Sequence, residues 1–399
     1  MSEKDGIIAD GSIRSGKTVS MSLSFVVWAM ESFNEQNFGM CGKTIGSFRR
    51  NVLTFLKLML KSRGYKVKDH RADNLLEIRY KRKVNYFYIF GGKDERSQDL
   101  IQGITLAGLL CDEVALMPES FVNQATGRCS VDGSKFWFNC NPDGPHHWFK
   151  KGWVDRADEK NLLYLHFTMD DNLSLTEKIK QRYASLYSGV FFQRYIMGLW
   201  VVAEGIIYDM FSEARHVVAS VESGEMPRRY ISCDYGTQNA TVFLMWEQGK
   251  DGKWYCVKEY YYSGRDETTQ KTDNAYADDL QKFIGDKSIE AVVIDPSAAS
   301  FVALLKERGF RIKKARNDVL DGIRYTGTLL NLGEIAFHRN CTNTIKEFGS
   351  YVWDTKACER GEDRPIKQHD HAMDAVRYFC FTVLYKPTAK LNTKIRGGI

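Results

Sequence analysis

Several things are missing from this 399-residue chain, and each absence removes a class of answer. Nine cysteines are present, yet no two stand as C-x-x-C, and no H-E-x-x-H pattern occurs. A structural zinc site is therefore not expected, and free thiols in a reducing cytosol are the simple reading. No apolar run approaches the ~18 residues needed to span a bilayer. Met1-Ser2-Glu3-Lys4-Asp5 has neither the cationic region nor the apolar stretch of a signal peptide. Internal repeats and low-complexity tracts are also absent.

What remains is an ordinary globular composition, 43% apolar and 27% charged, with a net charge of +6. The length suits two domains, and the mild basicity is compatible with nucleic acid.

One stretch organises the chain. Gly11-Ser12-Ile13-Arg14-Ser15-Gly16-Lys17-Thr18 matches G-x-x-x-x-G-K-[ST] at every fixed position. The glycines let successive backbone N–H groups turn inward onto phosphate oxygens. Lys17 is expected to reach the β- and γ-phosphates of ATP, and Thr18 to place its hydroxyl on Mg²⁺. Gly6 to Asp10 reads as a buried strand and Val19 to Met30 as an apolar helix, whose positive end favours the same anion. Further on, the apolar stretch Leu106 to Cys111 ends in Asp112 and Glu113. Downstream of a phosphate loop, Asp112 is expected to hold the Mg²⁺ shell beside Thr18, and Glu113 to orient and deprotonate the attacking water. The next strand, Lys135 to Phe138, ends in Asn139-Cys140-Asn141-Pro142, whose amides could sense the γ-phosphate or simply form a turn.

Between these motifs, residues 49 to 83 hold twelve Lys or Arg against Asp69, Asp73 and Glu77. That is a phosphate-tracking surface or a solvated face. Leu53, Leu56 and Leu60 lie at helical spacing and are expected in the core.

The second half has its own acids. Tyr230 to Gly236 reads as a strand carrying Asp234 near its end, and Ala291 to Ile294 as a strand ending in Asp295. Asp370, His371 and Asp374 share one face of a C-terminal helix. A helix is expected over Asp273 to Ile284. Strand-end acids on neighbouring strands converge at a sheet edge, and a crossing helix can add a third. Such a cluster is costly unless cations neutralise it. Carboxylate oxygens favour Mg²⁺ or Mn²⁺, and two ions about 4 Å apart would suit phosphodiester cleavage. Singly, each acid could equally be a turn residue, or in the case of Asp370 a helix N-cap.

The ordered set resembles the large terminase subunit of tailed bacteriophages, in the group related to the PBSX-type prophage. It comprises the Gly-rich loop, Asp112-Glu113, Asn139 to Pro142, His147-Trp148-Phe149, Asp171-Asn172, Gly198-Leu199-Trp200-Val201 and Glu204-Gly205. The resemblance runs nearly end to end. It implies an α/β chain with a RecA-like ATPase, mainly parallel, over residues 1–203. A linker over 204–227 and an RNase H-like nuclease over 228–399 would follow. The family's acidic triad falls on Asp234, Asp295 and Asp374, and its helix histidine on His371. Asn139 and Asn141 would couple hydrolysis to movement. Arg14 resembles a phosphate-contacting arginine, while Arg96 and Arg128 are candidates for an arginine finger acting in trans. Ten residues precede Gly11, where the family has a segment that helps hold adenine. Either the chain begins late or other parts hold the base.

The implied function is packaging of double-stranded DNA through a portal protein, with a small terminase subunit, as a homo-oligomeric ring on the procapsid in the host cytoplasm. No membrane is involved. The basic tail, Lys386 to Ile399, would touch the portal or DNA. A cellular helicase-nuclease would need two RecA-like cores where one is visible. A nucleotide-switched scaffold would leave the acidic cluster inert.

Overall fold

In the computed structural model, residues 3–236, 240–263, 271–368 and 370–385 are described. The basic tail from Lys386 lies outside them. The chain divides into two compact units. The first runs up to Ala184 and adds Val190–Ala203 and Thr355–Glu362. The second takes Ser185–Gly189, Glu204–Asp354 and the residues from Asp363 on.

The first unit is built on eight strands: β1 Gly6–Gly11, β2 Asn37–Gly42, β3 Lys66–His70, β4 Leu75–Tyr80, β5 Lys83–Gly91, β6 Gly108–Asp112, β7 Lys135–Asn139 and β8 Leu162–Phe167. Their spatial order is β3-β4-β5-β2-β6-β7-β1-β8. From β5 to β8 every pairing is parallel. A parallel sheet is covered on both faces, so its strands lack alternation. Accordingly β1 and β6 are buried at every position. Helix α1, Lys17–Ser32, lays Phe25 against Phe38, Phe87 and Trp137, with centroids 5.3–6.1 Å apart.

The basic stretch resolves into two parts. Leu53, Leu56 and Leu60 are buried, as their spacing predicts, the last two on helix α2, Thr54–Ser62. The remainder forms the antiparallel hairpin β3–β4 at the sheet edge. Leu76 and Ile78 point into the core, while Lys66, Lys68 and Arg79 are exposed. Lysine on an edge strand also discourages edge-to-edge pairing.

The second unit holds seven strands: β9 Val217–Val218, β10 Arg229–Asp234, β11 Thr241–Gln248, β12 Trp254–Tyr262, β13 Ala291–Ile294, β14 Ile312–Lys314 and β15 Ile335–His338. Their order is β14-β13-β10-β11-β12-β15-β9, a mixed sheet. Residues 204–227, expected as a linker, bury Ile207, Tyr208 and His216 and supply β9 to this sheet's edge.

On β10 the pleat separates two layers. Ile231 and Cys233 join the core under α3, Asp273–Ile284, and α4, Ala299–Glu307. Ser232 faces the other way and accepts from Trp246 Nε1 at 2.9 Å. Trp246 in turn stacks on Phe379, centroids 4.2 Å apart. Phe379 belongs to α6, His371–Phe379, which follows α5, Thr342–Ser350. By parity, Asp234 looks toward α6.

Candidate functional site

In the first unit the C-terminal ends of the adjacent strands β6, β7 and β1 bring the expected residues together. The loop between β1 and α1 curls through Gly11 at φ +127° and Gly16 at φ +90°. A Cβ on Gly11 would lie 1.8 Å from the Phe167 carbonyl oxygen, so no side chain is tolerated there. Inside the loop, Lys17 Nζ donates to the carbonyls of Gly11 (3.0 Å) and Ser12 (2.6 Å), and to Ser15 Oγ (3.1 Å) and Asn141 Oδ1 (3.3 Å). Burial pushes its pKa down to about 8, against the pull of Cys140, Asp10, Asp112 and Glu113. Ser12 Oγ is buried without a partner.

Thr18 Oγ1 donates to Asp112 Oδ1 at 2.9 Å across 94 residues of sequence. Burial raises the Asp112 pKa, opposed by hydrogen bonds from Asn139 and Thr18 and by the Lys17 charge. A buried carboxylate beside a hydroxyl, with its pKa still raised despite the Lys17 charge, has donor chemistry that suits a divalent cation. Glu113 sits at φ +58°, a left-handed conformation uncommon for a non-glycine residue. Its backbone N–H donates to Asn139 Oδ1 at 3.1 Å. Asn139 thus holds both acids of the pair, and Asn141 holds the loop lysine.

Arg14 is exposed, with its guanidinium 5.2 Å from the Tyr183 ring centroid and its carbonyl accepting from Asn172 Nδ2 at 2.6 Å. Arg96 is exposed, and Arg128 lies against the Gln124 amide.

Sequence reasoning missed Asp10. It is fully buried at the end of β1 and accepts from Tyr164 OH (2.9 Å), His166 Nδ1 (2.8 Å) and Trp200 Nε1 (2.6 Å). Two residues before Trp200, a Cβ on Gly198 would lie 2.8 Å from Ser12 N. The segment carrying Gly198 and Trp200 is therefore seated on the loop. An aspartate closing an otherwise apolar strand was the available signal, because a buried carboxylate needs donors.

In the second unit β10 and β13 are parallel and pair Cys233 with Ile294. Asp234 and Asp295 therefore stand side by side, one residue further on. Helix α6 brings His371, whose Nδ1 lies 2.9 Å from Asp234 Oδ2. Burial raises the Asp234 pKa to about 6, with Asp374 and Asp370 adding to it and His371 opposing. Burial works against the His371 charge, but the bond to Asp234 prevails and raises its pKa. Asp295 accepts from Ser297 N (2.7 Å), Asn317 Nδ2 (3.3 Å) and Tyr378 OH (3.2 Å). These bonds outweigh burial and keep it below the usual carboxylate range. The Tyr378 hydroxyl is pushed up by burial and then by Asp374, Asp234 and Asp295, so all three acids act on one point.

They do not, however, close around a single ion. Among the described residues no three His, Cys, Asp or Glu groups are positioned to hold a metal. Each acid is satisfied by a neighbour of its own. Asp374 receives Arg377 Nη2 at 2.8 Å and Lys367 Nζ at 3.3 Å, and Lys367 also reaches Asp370 at 3.2 Å. The expected convergence of Asp234, Asp295, Asp374 and His371 is a neighbourhood of hard oxygen donors with protein cations among them. The donor chemistry fits a divalent cation. Asp370 occupies the N-cap position of α6, but its side chain makes no capping bond.

A family model described as terminase large subunit, T4likevirus-type, N-terminal, matches residues 8–215. A second, the terminase RNaseH-like domain, matches residues 231–382. The large terminase of a thermophilic bacteriophage is 64% identical, over 96% of this chain and 95% of that one, with a TM-score of 0.91. The same thermophilic-phage protein solved with ATP-γ-S is 62% identical over 96% and 95%, with a TM-score of 0.87. The large subunit of terminase from Escherichia phage T5 is 25% identical over 290 residues, 69% of this chain. That match spans 65% of the T5 protein's length. No helix among the described residues is long and apolar enough to cross a membrane.

Proposed function

The chain belongs to the large terminase subunits of bacteriophages, and we propose that it packages viral DNA, hydrolysing ATP in its first unit and cutting DNA in its second. The observation that carries the reading is the Thr18–Asp112 bond beside the buried Lys17, a cation seat and a phosphate cradle in one place. The thermophilic-phage relative takes ATP-γ-S, and the same loop here would take ATP with Mg²⁺.

Lys17 then exchanges the carbonyls of Gly11 and Ser12 for phosphate oxygens. Thr18 and Asp112 would hold the divalent cation, whose charge would offset that developing on the phosphates. Glu113, fixed by its backbone bond to Asn139, orients the attacking water and takes its proton. Asn139 and Asn141 link the acid pair and the loop lysine to the same strand end, which suits them to report the state of the γ-phosphate. In the second unit Asp234, Asp295 and Asp374, with His371, would hold two Mg²⁺ or Mn²⁺ ions. These supply Lewis-acid stabilisation and an activated water for phosphodiester hydrolysis. Tyr378 and Asn317 orient Asp295, and His371 orients Asp234. Double-stranded DNA is the substrate. A portal protein, a small terminase subunit and further copies of this chain in a ring on the procapsid, in the host cytoplasm, are the partners.

ATP turnover by Lys17→Ala and by Glu113→Gln tests the first half, and unchanged turnover in either removes that residue's role. Mn²⁺-dependent plasmid cutting by Asp234→Asn tests the second, and persistent cutting moves the nuclease elsewhere.

A further inference from the structure

The first turn of a helix presents backbone N–H groups that need acceptors, and an aspartate at the N-cap ordinarily supplies one from its own side chain. Helix α6 has that aspartate and does not use it. Asp370 stands at the N-cap with no side-chain capping bond. The acceptor comes from elsewhere in the unit. Glu347 Oε2, on α5, accepts from the N–H of Ala372 at 2.8 Å and of Met373 at 3.2 Å. Its other oxygen accepts from Tyr261 OH on β12 at 2.9 Å. Glu347 is 4% exposed, and Ala372 and Met373 are fully buried, so water is poorly placed to take over these bonds. One carboxylate therefore joins α5, β12 and the start of α6.

Two consequences follow for the acidic neighbourhood. Ala372 and Met373 lie between His371 and Asp374, so Glu347 holds the turn from which both side chains project. The Asp370 carboxylate, only 5% exposed, is released from capping. It pairs with Lys367 at 3.2 Å and adds its charge to that felt by Asp234.

We propose that Glu347 is a positioning residue of the nuclease centre: by capping α6 from outside it fixes His371 and Asp374 and leaves the Asp370 carboxylate to the acidic site. This rests on the nuclease reading above. It adds a residue that contacts neither DNA nor metal in that reading.

Thermal melts of the metal-free full chain give a test independent of cleavage. In the wild-type background Asp370→Ala removes the Lys367 pair and one charge from the acidic site but no cap, and its effect on the melting temperature sets the reference. With Glu347→Ala in place, Asp370 can turn back to cap the helix. Adding Asp370→Ala then lowers the melting temperature by more than it does in the wild type. Additive effects would overturn the trans-cap.

Mn²⁺ titration calorimetry and plasmid cleavage supply the second readout. Losing a residue that orients metal-holding groups weakens metal binding by about 10- to 100-fold. Glu347→Ala is expected to show that loss in Mn²⁺ affinity and in the kcat of cleavage. KM for DNA and ATP turnover, which reports folding of the first unit, stay unchanged. Glu347→Gln, which keeps an oxygen for both N–H groups, recovers most of the loss. If Glu347→Ala is too unstable to purify, Glu347→Gln decides. Near-wild-type Mn²⁺ affinity supports the positioning role, and a loss as deep as that of Asp234→Asn overturns it. A Glu347→Ala chain that binds Mn²⁺ and cuts like wild type also overturns it. A wild-type chain that does neither removes the nuclease reading instead.

Discussion

The two acidic regions of this chain are assembled by different means. In the first unit Asp112 and Glu113 are consecutive, end a parallel strand, and meet a loop whose geometry is written into eight consecutive residues. Backbone does most of the holding, through glycines at positive φ, the Glu113 amide on Asn139 and the loop carbonyls on Lys17. In the second unit Asp234, Asp295 and Asp374 come from three distant stretches, and side chains hold them: His371, Tyr378, Arg377 and Lys367. The first region already has Thr18 bonded to Asp112 beside the loop lysine. The second has its acids matched to protein partners, so loading it with metal must displace or reorient some of them. A site held by contiguous backbone is preformed, and one held by paired side chains must be rearranged to take a cation.

The largest effects should separate the regions. Lys17→Ala and Glu113→Gln are each expected to cut ATP turnover by about a hundredfold or more. Plasmid cleavage by the same proteins should change by less than about twofold, since the two groups of residues share no bonding partner. Asp234→Asn should do the converse, lowering Mn²⁺-dependent cleavage at least about a hundredfold with ATP turnover intact. Cross-effects of comparable size, in paired assays, would break the comparison.

Next in size is the pairing itself. Arg377 is 2% exposed and bonded to Asp374. Arg377→Met leaves the buried Asp374 carboxylate with only the exposed Lys367, so the loss should approach the lower end of the about 3–5 kcal/mol that breaking a buried pair costs. Denaturant unfolding of the second unit without metal should show a loss of that order, and added Mn²⁺ should restore part of it. Full stability without metal would mean that the guanidinium is incidental.

The smallest effect concerns pH. The Lys17 pKa is lowered by burial to about 8, below its unfolded value of 10.5. Between those two values the unfolded chain binds more protons than the folded one, so stability rises with pH there. The gain should be on the order of 1–3 kcal/mol and absent in Lys17→Met. Nucleotide-free unfolding measured at pH 8, 9 and 10 for both proteins checks it. A wild-type curve parallel to that of the variant would show that burial costs the lysine nothing.

Legibility in the sequence followed the reach of each pattern: the acids of both units were readable as strand ends and a helix face, and their tertiary partners were not. The loop, its flanking strand and helix, the Asp112-Glu113 pair and the helix from Asp273 to Ile284 are all local patterns, and all appear as read. The hairpin β3–β4 was not read within the basic stretch. Its alternation is carried by only a few apolar residues, among them Val67, Leu76 and Ile78, amid charges. Asp10, Trp200, Glu347, Lys367 and Arg377 carried no assigned role, and most of their bonds are tertiary. Trp200 meets Asp10 across 190 residues and Glu347 meets Ala372 across 25, separations that no periodicity encodes. Asp370 read as a plausible N-cap because aspartate usually caps, but the competing acceptor on α5 took the bonds.

The most direct measurement of the central claim is anomalous scattering from a crystal of this protein soaked with Mn²⁺. Two metal-using pockets predict one set of peaks bounded by the Asp234, Asp295 and Asp374 carboxylates, with oxygens about 2.2 Å away and Lys367 withdrawn. With ATP-γ-S present, a separate peak should appear beside Thr18 and Asp112. Peaks only at Thr18 and Asp112, with Arg377 and Lys367 still on Asp374 at saturating Mn²⁺, would contradict the account.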